Sequence, residues 1–393
     1  MTHDIVVVGG GLVGASLAVA LAPSGKRVAL IEAAAPPNSQ PAWDEREIAL
    51  NVVSQRIYAG LGLWARLAAE ASPILGTHIS ERGRFGVARF SAEEAGEEAL
   101  GWNVPVRVLG AVLWERLGTL SNVTLLCPEK VKGIEVEPEQ VRVIPSAARD
   151  LACRLVVACD GANSAVRRAL GIGAQERDYG QVAIVSAVRP ERPHKGVAYE
   201  RFLPGGPIAM IPKPDNRCGL IWTVPAEAAP EMLAWSDREF LAELQEGFGL
   251  RLGTLLEIGR RNGHALTRVM SDALTAPRVI FAGNAAQTLH PIAAQGFNLG
   301  LRDVATVAEL VAVAADPGAP EVLAEYEQRR RAERDRVAGF TDGLVRIFSN
   351  TVAGLAGSRH WGLLALDLLP PLKRAVMRQN LGFAGGTPAV ARK

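Results

Sequence analysis

Cysteine is scarce in this chain. Its four residues, at positions 127, 153, 159 and 218, form no CxxC pair and have no histidine partner nearby, so neither a zinc site nor a disulfide framework is indicated. No metal is expected, and reduced thiols fit a cytoplasmic protein. An excess of either charge is missing as well, since 43 Lys and Arg against 41 Asp and Glu leave a formal net charge of +2. Without a concentrated basic face, nucleic acid is excluded as a partner. No apolar run reaches the roughly 18 residues a membrane span needs. The start, Met1-Thr2-His3-Asp4, carries no basic leader, and the apolar Ile5 to Val8 turns straight into glycines. That reads as a strand and not as a signal peptide. The expectation is a soluble protein, at most peripheral to the inner membrane. Fixed-period repeats and low-complexity linkers are absent, as is any recognisable Ser/His/Asp or paired-carboxylate arrangement.

What is present is a globular composition, 48% hydrophobic and 21% charged over 393 residues. At about 150 residues per domain this length suggests two or three domains. One pattern occurs three times: a short apolar run stops at glycine or at an acidic or amide residue, and a helix-like stretch follows. The first is Ile5 to Val8 with Gly9-Gly10-Gly11, the second Leu155 to Cys159 with Asp160-Gly161, the third Val279 to Ala282 with Gly283-Asn284. Strand ends that meet helix starts make ligand-binding crevices. Between the second and third units, alternating runs (Val182 to Val188, Val197 to Phe202, Cys218 to Val224) separated by Pro-Gly-Gly and Pro-Asp-Asn turns predict an antiparallel sheet. Ser236 and Glu239 have capping-box spacing, and Phe240, Leu241, Leu244 and Phe248 continue at helical spacing, so a helix should pack on that sheet. Helices are also expected over Phe297 to Ala315 and Pro320 to Phe348. The second carries Arg329-Arg330-Arg331, which reads as a solvated face because Glu325 and Glu327 stand four residues before Arg329 and Arg331.

Gly9, Gly11 and Gly14 spell GxGxxG between a strand and a helix that starts near Leu12 and Val13. Glycine there permits the tight turn and the close approach of a pyrophosphate, whose charge the helix start favours. Glu32 ends the next apolar run, 32 − 14 = 18 residues beyond the last glycine, and can accept hydrogen bonds from ribose hydroxyls. This fingerprint serves FAD and NAD alike. Asp160 is followed by Gly161-Ala162-Asn163-Ser164-Ala165-Val166-Arg167. On its own it could be a turn residue before a helix capped by Asn163 or Ser164. The third unit, Gly283-Asn284-Ala285-Ala286-Gln287-Thr288-Leu289-His290-Pro291 and then Gln295-Gly296-Phe297-Asn298-Leu299-Gly300, is the most specific stretch.

The run from Asp160 to Arg167 resembles the DGxxSxVR motif of flavoprotein hydroxylases, and the third unit resembles their second flavin motif. Together with Asp44-Glu45-Arg46 and Ile48-Ala49-Leu50, the units are similar to the family A flavin monooxygenases over almost the whole chain, nearest to the ubiquinone-biosynthesis branch. Within that branch, Asn284 through Asp303, Ala198-Tyr199-Glu200-Arg201-Phe202 and Gln379-Asn380-Leu381-Gly382 look most like the 2-octaprenyl-6-methoxyphenol hydroxylases.

The resemblance implies an α/β fold with a Rossmann-like FAD-binding domain (1–75, 103–175 and 270–340). Into it is inserted a mostly antiparallel β-sheet substrate domain (76–102 and 176–269), and a C-terminal helical segment (341–393) follows. It implies bound FAD, with Asp160 by the pyrophosphate, Gly283 and Asn284 at the ribityl chain, and amides near Gln295, Gly296, Phe297 and Asn298 facing the isoalloxazine ring. Free N–H groups at a helix start suit the negative charge of reduced flavin. Arg46 and Arg107 would be further FAD contacts or ordinary surface arginines.

The reaction implied is hydroxylation of a polyprenylated phenol, 2-polyprenyl-6-methoxyphenol to the 1,4-benzoquinol, with NAD(P)H and O2 as co-substrates. Other ubiquinone-biosynthesis proteins and a membrane surface are the implied partners. His290 could assist phenol deprotonation or be a structural histidine, and Pro291 would shape the loop over the flavin. Two departures stand out. The family often has aspartate at position 284 and glycine at 294, where this chain has Asn284 and Ala294. Asparagine keeps a hydrogen bond but loses charge, and Ala294 would be strained at a positive φ. A prenyl tail calls for an apolar channel between the inserted sheet and Trp361 to Leu372, with Leu363, Leu364, Leu366, Leu368 and Leu369 as its motivation. Competing readings are a flavin-dependent isoprenoid reductase, a plain NAD dehydrogenase, and a non-catalytic FAD-binding scaffold of a quinone-synthesis complex.

Overall fold

The computed structural model describes residues 3–35, 46–348 and 353–392. Asp44 and Glu45 of the resemblance lie outside them. The three apolar runs become neighbouring parallel strands. Ile5–Val8 is flanked by Leu155–Ala158 on one side and Val28–Ile31 on the other, Val279–Phe281 follows Leu155–Ala158, and Val123–Leu126 closes the far edge. The three strands Ile5–Val8, Val28–Ile31 and Leu155–Ala158 are buried at every position. That is why they read as unbroken apolar runs and not as alternation. The helices Leu12–Leu21, Val106–Gly118 and Gln295–Val313 pack together beside this sheet.

The alternating segment forms the second, larger sheet, of nine strands. Its long member, Ala174–Pro190, pairs antiparallel with Cys218–Pro225 and with Asn262–Ser271. Gly206–Pro212 joins Cys218–Pro225 to Val197–Leu203. Val197–Leu203 then pairs in parallel with Gly76–Glu81, which forms a hairpin with Val87–Ser91. Gln287–Thr288, from the third unit, adds itself to the opposite edge. Ser236 and Glu239 do form a capping box, and the helix they start, Asp237–Phe248, buries Phe240, Leu244 and Phe248 against Ile208, Met210, Leu220 and Trp222 on one face of the sheet.

Three expectations change. The helix placed at Phe297 to Ala315 starts and ends two residues earlier, as Gln295–Val313. The apolar stretch Trp361 to Leu372 belongs to two helices, Ala353–Leu368 and Pro370–Leu381, because Pro370 cannot continue the first and suits the first turn of the second. Within Arg329-Arg330-Arg331, the outer two do pair with Glu325 and Glu327 on an exposed face. Arg330 does not share that face. It is buried and bound to Asp303 and Glu333, since each helical residue turns about 100° from the last.

Candidate active site

The fingerprint glycines divide by what surrounds them. Gly9 has φ +99°, and a Cβ there would lie 2.5 Å from the carbonyl oxygen of Cys159. A Cβ on Gly14 would lie 1.8 Å from the oxygen of Gly9, so only glycine lets the helix Leu12–Leu21 close on the strand before it. Gly11, the residue that caps this helix, is exposed and would bring a Cβ within 4 Å of nothing, and no side chain caps the amides behind it. Leu12 and Val13 are half-buried, and Val13 touches the spot where Gly283 and Gly300 come closest to the helix. Glu32, just beyond the second strand, accepts from the amides of Gly10 at 2.5 Å and Ala34 at 2.7 Å.

Asp160 follows the strand Leu155–Ala158. One carboxylate oxygen accepts from the amides of Ala165 and Val166, at 2.7 and 3.1 Å, while the other is buried without a hydrogen-bond partner among the described residues. The cap of the short helix Ala165–Ala169 is Ser164, not Asn163. Gly283, at φ +58°, donates its amide to Asp303 at 3.0 Å, and the next residue, Asn284, is exposed. Arg46 is exposed, and its carbonyl accepts from the amide of Val106. Arg107 is exposed too, with its guanidinium held by Glu70 at 2.7 Å.

At the other end of the third unit, Ala294 has φ +50° and caps the helix Gln295–Val313 with no side-chain cap for its first amides. The positive φ that would strain an alanine is therefore present. The amides of Gln295, Gly296 and Phe297 occupy the first turn. The side chain of Asn298 ties this turn to the strand Glu47–Asn51, accepting from the amide of Asn51 and donating to the carbonyls of Ala49 and Ala294. His290 is buried. Its Nδ1 accepts from the amide of Ile292 at 3.1 Å, its Nε2 has no partner among the described residues, and its ring meets Tyr179 edge-on at 5.0 Å. Burial lowers its pKa to about 4, with Asp342 opposing. A neutral ring whose Nδ1 accepts must carry its proton on Nε2. The expected helper in deprotonation is thereby arranged as a hydrogen-bond donor.

His290, Pro291, Ala294 and Gln295 form one wall of a cavity of about 710 Å³. The larger sheet supplies another, through Ile79, Ala209 and Ile221 among others, and the C-terminal helices supply Leu363, Leu366, Val376 and Met377. The expected channel between sheet and C-terminal segment is present as this space. Of the leucines that motivated it, Leu363 and Leu366 line it, whereas Leu368 and Leu369 are 64% and 53% exposed. Sequence reasoning gave no role to Glu200, which lines the cavity, or to Phe340 and Leu344 of the long helix, which do the same. The signal for Glu200 was available: in a strand it shares a face with Ala198 and Phe202.

A glycine cradle, an uncapped helix start and the buried, unpartnered oxygen of Asp160 lie at the carboxyl ends of parallel strands, where dinucleotides bind. These features fit the pyrophosphate of a dinucleotide such as FAD and define a dinucleotide-binding protein. Residues 2–341 match the model of the FAD binding domain family, and the chain belongs to that family. It is similar to the ubiquinone hydroxylase UbiL of Rhodospirillum rubrum, with 40% identity over 96% of this chain and 89% of that one. It is 31% identical to the 3-demethoxyubiquinol 3-hydroxylase of Escherichia coli, over 97% and 98%. Among solved structures, p-nitrophenol 4-monooxygenase of Pseudomonas putida shares its fold, with a TM-score of 0.81, 20% identity and 98% of each chain covered. The protein is an FAD-dependent hydroxylating enzyme, a flavoprotein monooxygenase.

Proposed function

We propose that this enzyme hydroxylates a polyprenylated phenol on the way to ubiquinone, with NAD(P)H as reductant and O2 as oxidant. The substrate we assign is 2-polyprenyl-6-methoxyphenol, converted to 2-polyprenyl-6-methoxy-1,4-benzoquinol. The observation that carries this reading is the 710 Å³ cavity, whose sheet and C-terminal helix walls are mostly apolar, with Glu200 the exception on the sheet, and which is polar where His290 and Gln295 meet it. A prenyl tail and a phenol head need that division. Relatives named as ubiquinone hydroxylases support the pathway.

In this reading Gly9, Gly11, Leu12, Val13 and Gly14 hold the pyrophosphate of FAD at the first helix start, with Glu32 at the ribose and Asp160 beside the phosphates. Gly283 and Asn284 meet the ribityl chain, and the amides of Gln295, Gly296, Phe297 and Asn298 face the ring. FAD bound there supplies hydride acceptance and oxygen activation. The chain's own residues bind the substrate tail, exclude water with the apolar walls, and hold the phenol oxygen with the Nε2–H of His290. Pro291 fixes the turn that carries His290 into the cavity.

A lipid-borne substrate also needs delivery. None of the described helices is long and apolar enough to cross a membrane. Exposed Phe85 and Trp361, packed edge-on at 5.6 Å, and exposed Leu368, Leu369 and Leu372 are read as the face that meets the membrane surface.

The test is consumption of NADPH and O2 by the purified yellow protein with and without short-chain 2-prenyl-6-methoxyphenol, with the product identified by mass spectrometry. One O2 per hydroxylated product is expected. Saturation of a prenyl double bond without O2 uptake would replace this reading with that of an isoprenoid reductase.

A further inference from the structure

The cavity face of the larger sheet carries one carboxylate. Alternation along Val197–Leu203 sends Ala198, Glu200 and Phe202 into the cavity wall. Glu200 stands in register with Ile79 on one neighbouring strand and Ala209 on the other, and Ile221 lies beside Ala209. All three are apolar and line the same space. Among the described residues, the side chain of Glu200 has no hydrogen bond and no ion pair. Burial alone raises its pKa to about 7. Leaving a carboxylate unpaired on an apolar wall costs stability and stabilises nothing in the protein itself. Such a group marks a site that a ligand completes.

His290, whose Nε2–H has no partner among the described residues, lines the same cavity. The cavity therefore has a carboxylate acceptor on its sheet wall and His290 on its loop wall, and a phenol hydroxyl can give its proton to the carboxylate. We propose that Glu200 accepts the proton of the substrate's ring hydroxyl, so that the ring reacts as a phenolate, an inference that rests on the hydroxylase reading above. The phenol O–H bond breaks and an O–H bond forms on the carboxylate. The electron pair stays on the ring oxygen, where His290 holds it and where it enriches the ring for attack by an electrophilic oxygen. No electrons are exchanged in this step.

Replacement of Glu200 by glutamine keeps size and hydrogen bonding but cannot take the proton. With holoenzyme and short-chain 2-prenyl-6-methoxyphenol, wild-type kcat/KM should rise with pH through about 7 and then level, because the carboxylate must be ionised to accept. Glu200→Gln should lose about 10²-fold at pH 7 and gain only as the free phenol ionises at higher pH. Glu200→Asp should restore part of the rate and the pH limb, which a packing defect would not. A Glu200→Gln enzyme with the wild-type rate and profile overturns the proposal.

Binding of a prenylated 4-nitrophenol, read from phenolate absorbance, needs no turnover. Ionisation of this probe by the wild type but not by Glu200→Gln supports the role of Glu200 even if no hydroxylated product forms, in which case the hydroxylase reading falls alone. Equal ionisation by both enzymes overturns the role whatever the turnover.

Discussion

Gly11 and Gly14 lie three residues apart in one turn, yet their surroundings demand different things of them. A methyl on Gly14 would collide with the backbone of Gly9, whereas one on Gly11 meets no protein atom. Gly14→Ala should therefore prevent the first strand and helix from closing, giving insoluble protein or a melting temperature lowered by about 4 °C, an estimate from roughly 3 kcal/mol at this chain length. Gly11→Ala should fold with an unchanged circular dichroism spectrum and lose FAD affinity by about tenfold, because its methyl intrudes where the phosphates approach. Flavin content after dialysis and a thermal melt measure both. The motif itself was legible in the sequence, since it needs only residue types and spacing. The condition of His290 was not: the amide of Ile292, two residues on, fixes which ring nitrogen carries the proton, and that depends on the bend of the loop.

The helices Gln295–Val313 and Pro320–Phe348 are joined through Asp303. Its carboxylate accepts from the amide of Gly283 at 3.0 Å, from Gln287 at 2.7 Å and from Arg330 at 2.7 Å. Burial raises its pKa and Arg330 opposes that. Asp303→Ala would leave Arg330 in the interior with only the carboxylate of Glu333, which Arg302 also uses, and release the loop at Gly283, a loss of about 3 kcal/mol, seen as a lower midpoint in urea together with weaker flavin binding. Both helices were legible in the sequence, and the surface pairs Glu325–Arg329 and Glu327–Arg331 from spacing. The bond from Arg330 to a residue 27 positions earlier was not, because it depends on how the helices cross. For a related reason the strand Gly206–Pro212 escaped notice: with prolines at 207 and 212 it looks like a turn, and its neighbours on both sides hold it in the sheet.

On the scale of the molecule, the cavity lies between a sheet built before residue 290 and helices built after residue 340. Two of the five leucines that suggested a lipid channel belong to different surfaces. Leu366 lines the cavity and Leu369 is exposed beyond it. Leu366→Ser should raise KM for long-chain substrates by about tenfold or more while leaving a substrate without a tail almost unaffected. Leu369→Ser combined with Leu372→Ser should leave that kinetic preference intact and reduce sedimentation with liposomes. If neither variant moves either reading, the prenyl chain lies elsewhere.

The two-residue strand Gln287–Thr288 sits in the loop between Gly283 and His290, and it is hydrogen-bonded to Val269 and Met270 at the edge of the larger sheet. In mechanical terms it is a rivet through two plates. The loop assigned to the flavin cannot swing as a free flap while the rivet holds, so displacement of the sheet is transmitted directly to the cofactor side. Stiffness at this seam, more than any single contact with the ring, would keep the alignment of phenol and flavin from wandering between turnovers.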